Sequence, residues 1–368
     1  MDDRRYWIAL NLVKGIGAVR TRALIAYFGD AASAWRASPE QLHAAGLSPK
    51  LVERYLQVRA GVDLDRLWEQ LSAQHICVLT WEDEAYPARL KEIDQPPPVL
   101  YLRGELQMED TWSVAIVGTR RVTSYGRQIT EEIASYLAQN GVTVVSGLAR
   151  GVDAIAHQAA LKAGGRTLAI LGNGVDQIYP PEHRTLAETI IQHGALLSDY
   201  PLGTQPDGTN FPPRNRIISG LSLAVIVTEA GDTSGALITA GFAAEQGREV
   251  FAVPGNILAP QSRGTNRLIQ QGAHPLLDAR EVLEILDLTR VDDHRTARKA
   301  LPGDAIETHL LSVLGSEPLH VDEIRNLTGL PIEKVSATLT LMELKGMVRQ
   351  VGGMNYVVVR EVQSGYSV

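Results

Sequence analysis

The sequence holds one cysteine, Cys77, among 368 residues. No internal disulfide can form, and there is no Cys cluster of the kind that binds zinc. The nine histidines include no H-x-x-x-H pair, so no metal site is expected. No run of about 18 apolar residues is present, as a membrane helix would need, so no membrane partner is expected. With no charged-then-apolar leader, the expected address is cytoplasmic. Positive charge is also scarce: 35 Lys and Arg against 42 Asp and Glu leave a net charge of −7. That excludes coating of nucleic acid by a generally basic surface, so any such site must be local.

The chain is nonetheless 45% hydrophobic and 21% charged, enough to bury real cores in about two or three domains. From Tyr6 to about Arg59 apolar residues recur at helical spacing, broken at Lys14-Gly15-Ile16-Gly17 and at Ala45-Gly46-Leu47-Ser48-Pro49. These read as short helices joined by tight turns, a domain over 1–75. Residues 76–112 carry a strand-like run, a helix start at Tyr86-Pro87, Pro96-Pro97-Pro98 and the extended Val99–Leu102, and read as a connector packed on the next domain.

Across 113–287 the pattern changes to strand-length apolar runs alternating with amphipathic helical segments. The runs are Val114–Val117, Val142–Val145, Thr167–Leu171, Ala195–Leu197, Leu223–Val227 and Val250–Val253. Each is continuous rather than alternating, as parallel strands covered on both faces are. The expected fold class is α/β, a Rossmann-like, doubly wound, mostly parallel sheet. Residues 288–303 are polar and charged and read as a linker. Over 304–360 the pattern is a helix (Ile306–Leu314), a short helix after His320, a turn at Gly329-Leu330-Pro331 and a helix Ile332–Lys345. A hairpin follows, with Gly346-Met347-Val348 and Tyr356–Val359 flanking Gly352-Gly353, which completes a winged helix.

In an open parallel sheet, ligands bind beyond the carboxyl ends of the strands. There the sequence places Gly118-Thr119-Arg120-Arg121, then Ser146-Gly147-Leu148-Ala149-Arg150-Gly151, then Gly172-Asn173-Gly174. Further on come Thr228-Glu229-Ala230-Gly231 and Ser234-Gly235 at the next helix start. Small residues let backbone N–H groups approach an anion, and the helix dipoles add positive charge, so phosphate is the natural ligand. A glycine after a strand is also what any turn into a helix needs. No full G-x-G-x-x-G opens the first helix, no acid is placed for a ribose, and no G-x-x-x-x-G-K-[ST] exists. A dinucleotide or ATP cofactor is therefore not expected.

Phe211-Pro212-Pro213-Arg214-Asn215-Arg216 sets a ring, two guanidinium groups and an amide at a proline-stiffened helix start, suited to stacking on a base and gripping phosphates. The bland alternative is a core Phe with arginines paired to Asp207 or Glu229. Asp153 and His157, four apart on one helix, have the spacing of an acid/base pair. That spacing equally suits a helix-start Asp and a buried, hydrogen-bonded His. No nucleophile elbow accompanies them.

The blocks VAIVGTRRVTSYG from Val114, SGLARGVDAIAHQAAL from Ser146, LGNGVDQIYP from Leu171, FPPRNRIISGLS from Phe211, SGALITAGFAAEQGREVFAVPG from Ser234 and GTNRLIQQGA from Gly264 together resemble the DNA-processing protein A (DprA, or Smf) family. The resemblance covers nearly all of the α/β domain. The flanking segments fit a helix-hairpin-helix or sterile-alpha-motif-like unit in front and a winged helix behind. It implies a non-enzymatic homodimer that binds and protects single-stranded DNA and loads the RecA recombinase in natural transformation or related recombination.

Carried over residue by residue, the resemblance implies DNA contacts at Gly118, Thr119, Arg120, Phe211, Arg214, Asn215 and Arg216, and the strand-end reading adds Ser146, Gly147 and Gly172. The resemblance also implies a dimer seam and RecA surface at Leu268, Ile269 and Gln270. One position departs: where many members follow Tyr-Pro with lysine, Tyr179-Pro180 is followed by Pro181, and His183 stands in place of an asparagine. The pocket is then one basic contact short, with His183 and Arg184 as the nearby substitutes. The alternative reading is a nucleotide-processing hydrolase of the related phosphoribohydrolase type. Glu229 would be its late glutamate, although the P-G-G-x-G-T-x-x-E signature is missing. Lys14-Gly15-Ile16-Gly17 fits a hairpin that grips a phosphate or one that only packs. On the last long helix Lys334 and Lys345 alternate with Glu333 and Glu343, a mixed face for a modest DNA or protein contact.

Overall fold

The computed structural model describes residues 3–288, 306, 309–310, 313–314, 318–344, 348–351 and 354–358. The chain forms two compact units, Met1–Thr289 and Arg290–Val368.

The first unit is built on one nine-stranded sheet. Its strands are β1 (Cys77–Thr80), β2 (Val99–Gly104), β3 (Ser113–Val117), β4 (Thr143–Ser146), β5 (Thr167–Ile170), β6 (Gly194–Ser198), β7 (Ala224–Val227), β8 (Glu249–Ala252) and β9 (His274–Pro275). Their order is β1-β2-β6-β5-β4-β3-β7-β8-β9. All pairs from β6 across to β9 are parallel, and all six apolar runs of the sequence are strands of this parallel part. Val144, Ile170 and the four residues of β7 have no exposed surface, which is why their runs do not alternate.

From β3 the chain winds outward through β4, β5 and β6, then returns to lay β7, β8 and β9 on the other side. The winding therefore reverses between β3 and β7, and the two strand ends open a crevice there. Helices Ser124–Gln139, Val152–Lys162 and Arg184–His193 pack as one layer, and helices Phe211–Leu221 and Ala236–Glu245 as another. Val145, Leu168, Ile170 and Leu197 share a core with Ile217, Ile218 and Ala240, whereas Ala169 and Leu196 pack with Ala187 and Ile190. The two faces are thus divided by the period-2 alternation of each strand.

The segment read as a connector is more than that. β1 and β2 pair antiparallel with each other, and β2 pairs antiparallel with β6, so both extend the sheet. One face of this ribbon, Val78, Val99 and Tyr101, is packed by the N-terminal helices through Trp7, Leu10 and Tyr55 among others. The other face, Leu79, Leu100 and Leu102, belongs to the core of the parallel sheet. Those N-terminal helices start where the chemistry favours it. Ser38 forms a capping box with Gln41 ahead of Pro39, and Asp30 accepts the Ser33 amide at 2.7 Å. In the Lys14–Gly17 turn, Arg54 donates to the Lys14 carbonyl at 2.6 Å and Arg20 to the Gly15 carbonyl at 2.6 Å.

In the second unit, helices Val321–Thr328 and Ile332–Leu344 are joined through Gly329, whose left-handed φ of 65° ends the first of them. Strands β10 (Leu319–His320), β11 (Val348–Gln350) and β12 (Asn355–Val358) form a sheet in the order β10-β12-β11. Val321, Ile324, Val335, Leu339, Met342, Val348 and Tyr356 make its core. Glu333 and Lys334 are both exposed. Most of the expected linker, residues 307–308 and 311–312 of the first expected helix, Lys345, Gly346-Met347, Gly352-Gly353 and Val359 lie outside the described residues.

Candidate nucleic-acid interface

The crevice between β3 and β7 is an open cleft of about 900 Å³. Gly118, Thr119, Arg120 and Arg121 line one side, Phe211, Arg214 and Asn215 another, and Gly231, Thr233, Ser234 and Gly235 a third. Gly118 is required by space: a Cβ there would lie 2.6 Å from a Val152 methyl and 2.8 Å from the Glu229 carbonyl. Gly151 is required by conformation as well, because φ is +77° and a Cβ would meet the Thr119 carbonyl.

The loop after β3 is braced from within. The Thr119 amide donates to the Glu229 carbonyl at 2.7 Å, the Arg121 amide to the Thr119 hydroxyl at 3.2 Å, and the Val152 amide to the Thr119 carbonyl at 3.2 Å. Two of the loop's backbone donors are therefore already engaged. Arg120 and Arg121 are exposed, and among the described residues no carboxylate pairs with Arg120. An exposed guanidinium beside an open crevice is a cation available to an oxyanion.

Arg214 is placed otherwise. It is only 4% exposed and donates through Nη1 to the Gly147 carbonyl at 3.1 Å and to the Ile170 carbonyl, and through Nε to Asn215 Oδ1 at 3.2 Å. Burial pushes its pKa down to about 10, against the pull of Asp153, so it stays charged at neutral pH. Asp153 is buried beside it, accepting from the amides of Gly147 at 3.1 Å and Ala149 at 3.3 Å. Burial raises the Asp153 pKa, and Arg214 opposes that rise first among its neighbours. Gly147 exists to let these groups meet: a Cβ would lie 2.7 Å from Arg214 Nη2 and 2.9 Å from Asp153 Oδ2. The cleft floor thus carries a fixed buried cation tied to the ends of β4 and β5.

Arg216 does not join it, which corrects the expectation of a third arginine in the pocket. Successive helical positions turn by about 100°, so residues two apart point to nearly opposite sides. Arg216 instead pairs with Asp199 at 2.8 Å and donates to the carbonyls of Gln95 at 3.0 Å and Pro213 at 2.8 Å. Neither Asp207 nor Glu229 partners these arginines: Asp207 holds Thr209, and Glu229 holds Thr123. Ser146 is also withheld, fully buried and donating to the Ile116 carbonyl at 2.7 Å. Gly172 lies beneath the Phe211 ring, where a Cβ would be 2.6 Å from Cδ1. It makes room rather than contact.

Phe211 is the hub of an aromatic and cationic cluster. The guanidinium carbons of Arg120 and Arg214 lie 5.7 Å and 5.8 Å from its ring centre, within cation–π range. Tyr179 stacks with it at 5.8 Å between centres and 23° between planes. Reading the sequence missed Tyr179 and Thr233 as lining residues, while Ser234 lines the cleft as its place at a helix start suggested. The signal was there for Thr233, in the loop after β7 that leads to that helix start. Tyr179 sits nine positions beyond the end of β5, too far along its loop for strand-end reading.

The two alternatives for Asp153 and His157 resolve toward structure. His157 is fully buried, with Nδ1 2.6 Å from the Thr167 hydroxyl, and burial drives its pKa down to about 3. Asp153 is spent on the loop amides and on Arg214. Glu229, the residue on which a hydrolase reading depends, is 3% exposed, and its two oxygens accept from the Thr123 hydroxyl at 2.7 Å and amide at 2.9 Å. It braces the start of helix Ser124–Gln139 and is not offered to the cleft. His183 turns Nδ1 to the Leu148 carbonyl at 2.9 Å, so of the substitutes near Pro181 only Arg184 is exposed.

Leu268, Ile269 and Gln270 lie on helix Arg263–Gln270 beside β8. Leu268 packs partly into the sheet core and lines a separate groove of about 480 Å³ with Leu237, Ala244 and His274; Gln270 is exposed. No helix among the described residues is long and apolar enough to cross a membrane, and among them no cluster of His, Cys, Asp and Glu has the makings of a metal site.

A family model described as DNA recombination-mediator protein A matches residues 77–287, and one described as the DprA winged helix domain matches residues 294–354. The chain is similar to Protein Smf of Synechocystis sp., 38% identical over 392 residues that cover 96% of this chain and 98% of that one. Among solved structures it is similar to DNA processing protein A from Streptococcus pneumoniae, with a TM-score of 0.68 and 35% identity over 76% of this chain and 97% of that one. It is also similar to DNA processing protein A from Helicobacter pylori, a protein with a single-stranded DNA binding mode, with a TM-score of 0.52 and 34% identity over 58% of this chain and 97% of that one.

Proposed function

This chain belongs to the DNA recombination-mediator protein A family, and from that premise we propose that it binds single-stranded DNA in the cleft between β3 and β7. The observation that carries the reading is the exposed Arg120, with no ion pair among the described residues, set beside the Tyr179–Phe211 ring stack at the switch point of the sheet. A guanidinium and a ring a few ångströms apart match the phosphate and base of one nucleotide. In a protein of net charge −7, such a site binds through local cations. Gly118 and Thr119 shape the phosphate end. Gly147, Gly172, Arg214 and Asn215 support the site from below.

The bound strand is protected from nucleases while the cleft covers it, and the protein delivers it to the RecA recombinase in the cytoplasm during transformation or related recombination. The Leu268–Gln270 face serves as the seam between two copies and as the RecA surface. Two clefts on one dimer bind a long strand more tightly than either alone. The protein acts without catalysing a reaction. A gel-shift with a dT oligomer against a duplex of equal length, at two salt concentrations, tests the core of this reading. The oligomer should bind in preference, and more weakly at high salt; equal binding to duplex, or binding to neither, refutes it.

A further inference from the structure

We propose that Tyr179, rather than Phe211, is the ring on which a DNA base stacks, with Phe211 as its backing. This rests on the single-strand reading above and assigns the base contact within that site.

Phe211 is already crowded. Its ring meets Tyr179, the guanidinium groups of Arg120 and Arg214, and the Gly172 backbone, and it is only half exposed. A base stacking on it would have to displace one of these. Tyr179 also lines the cleft, is 36% exposed, and is stacked on Phe211 at an offset that keeps the two planes 23° from parallel. Among the ring and guanidinium contacts of the described residues, Phe211 is its one partner.

At that end of the cleft Arg150 makes a 2.5 Å ion pair with Glu182. The Tyr179 ring is held by its stack on Phe211 on one face, which leaves the other face open to a partner. A rotamer restrained before the ligand arrives loses less entropy on binding. The same arrangement bears on Pro181, where the expected lysine is missing. Arg150 is half exposed at that corner, but its charge is matched there by Glu182, so it does not replace the lysine. A stacking contact there offsets the absent charge with a term that salt does not screen.

Two binding partners of equal length separate base stacking from phosphate contact: a dT oligomer and a single strand of abasic sugar-phosphates. The wild type should prefer the dT oligomer. Tyr179→Ala should lose about tenfold in affinity for dT while its affinity for the abasic strand changes less than about twofold, and Tyr179→Phe should restore most of the loss. A dT oligomer carrying 5-iodouracil, photocrosslinked and mapped by mass spectrometry, should label the peptide at Tyr179. Equal losses on both strands, no loss on either, or a crosslink at Phe211 overturns the assignment. So does a wild type that binds both strands equally, although single-strand binding then survives. A wild type that binds neither strand fails the underlying reading instead.

Discussion

Arg120 and Arg214 both contact Phe211 and both line the cleft, yet removing them should have opposite kinds of consequence. Arg120 is exposed, so Arg120→Ala forfeits one charge-assisted contact to phosphate, about ten- to a hundredfold in affinity for a dT oligomer. One lost phosphate contact on single-stranded DNA should also flatten the slope of log affinity against log salt by about 0.7. The fold itself loses only an exposed cation–π contact, about 0.5–1 kcal/mol. Arg214→Ala instead strips the buried partner from Asp153 and leaves the Gly147 and Ile170 carbonyls without their donor. An uncompensated buried charge costs about 3–5 kcal/mol, which in a unit of this size lowers the melting temperature by about 5–8 °C. Paired thermal melts and salt-dependent titrations of the two variants decide the matter. If Arg214→Ala melts with the wild type while binding as poorly as Arg120→Ala, the buried guanidinium acts on DNA directly and the division is wrong. If Arg120→Ala keeps the wild-type salt slope, no phosphate sits at that loop.

Arg216→Ala should leave the affinity for the dT oligomer within about twofold of wild type, since the side chain faces away from the cleft. It should cost about 1–3 kcal/mol in a urea melt through loss of the half-buried Asp199 pair and the Gln95 and Pro213 contacts. A large affinity loss without a stability loss would return it to the DNA site. His157 links stability to pH: with a folded pKa of about 3 against an ordinary 6.5, it favours folding fully above pH 6.5 and progressively less as pH falls toward 3. Across that window the unfolded chain gains the proton, at about 1.4 kcal/mol per pH unit. Asp153, whose pKa is raised, works the other way, favouring folding below 3.8 and losing that effect as pH rises. The comparison is therefore wild type against His157→Asn in urea melts from pH 7 to 4.5, where the wild type should fall more steeply. Parallel slopes would show that His157 takes up a proton in the folded state.

The parallel sheet was legible because strands buried on both faces leave unbroken apolar runs, and each of the six runs became a strand. β9 was not, because a His-Pro pair carries no pattern of its own and is a strand only by pairing with Phe251 and Ala252. β1 and β2 were seen as extended pieces, but their partners are remote in sequence, so their membership of the sheet was hidden. At the site, loop composition located Gly118–Arg120 correctly at a strand end. It grouped Arg214 with Arg216 because they are neighbours in a motif, whereas the helix turns them apart. Burial of Arg214 depends on Gly147 and Asp153 arriving from another loop, which no local pattern encodes. The position of Tyr179 over Phe211 is likewise set by the fold.

The ribbon of β1 and β2 has one face in each of two cores: Val78, Val99 and Tyr101 toward the N-terminal helices, Leu79, Leu100 and Leu102 toward the parallel sheet. In evolutionary terms, the front of this protein is not a detachable module. A lineage that shed the helices would uncover three large apolar side chains and the Tyr101 hydroxyl bonded to Asn11, so deletion must be accompanied by repainting that face with polar residues. Drift in the ribbon is constrained from both sides at once, whereas buried helix positions such as Leu24 and Leu42 are constrained by the helices' own core.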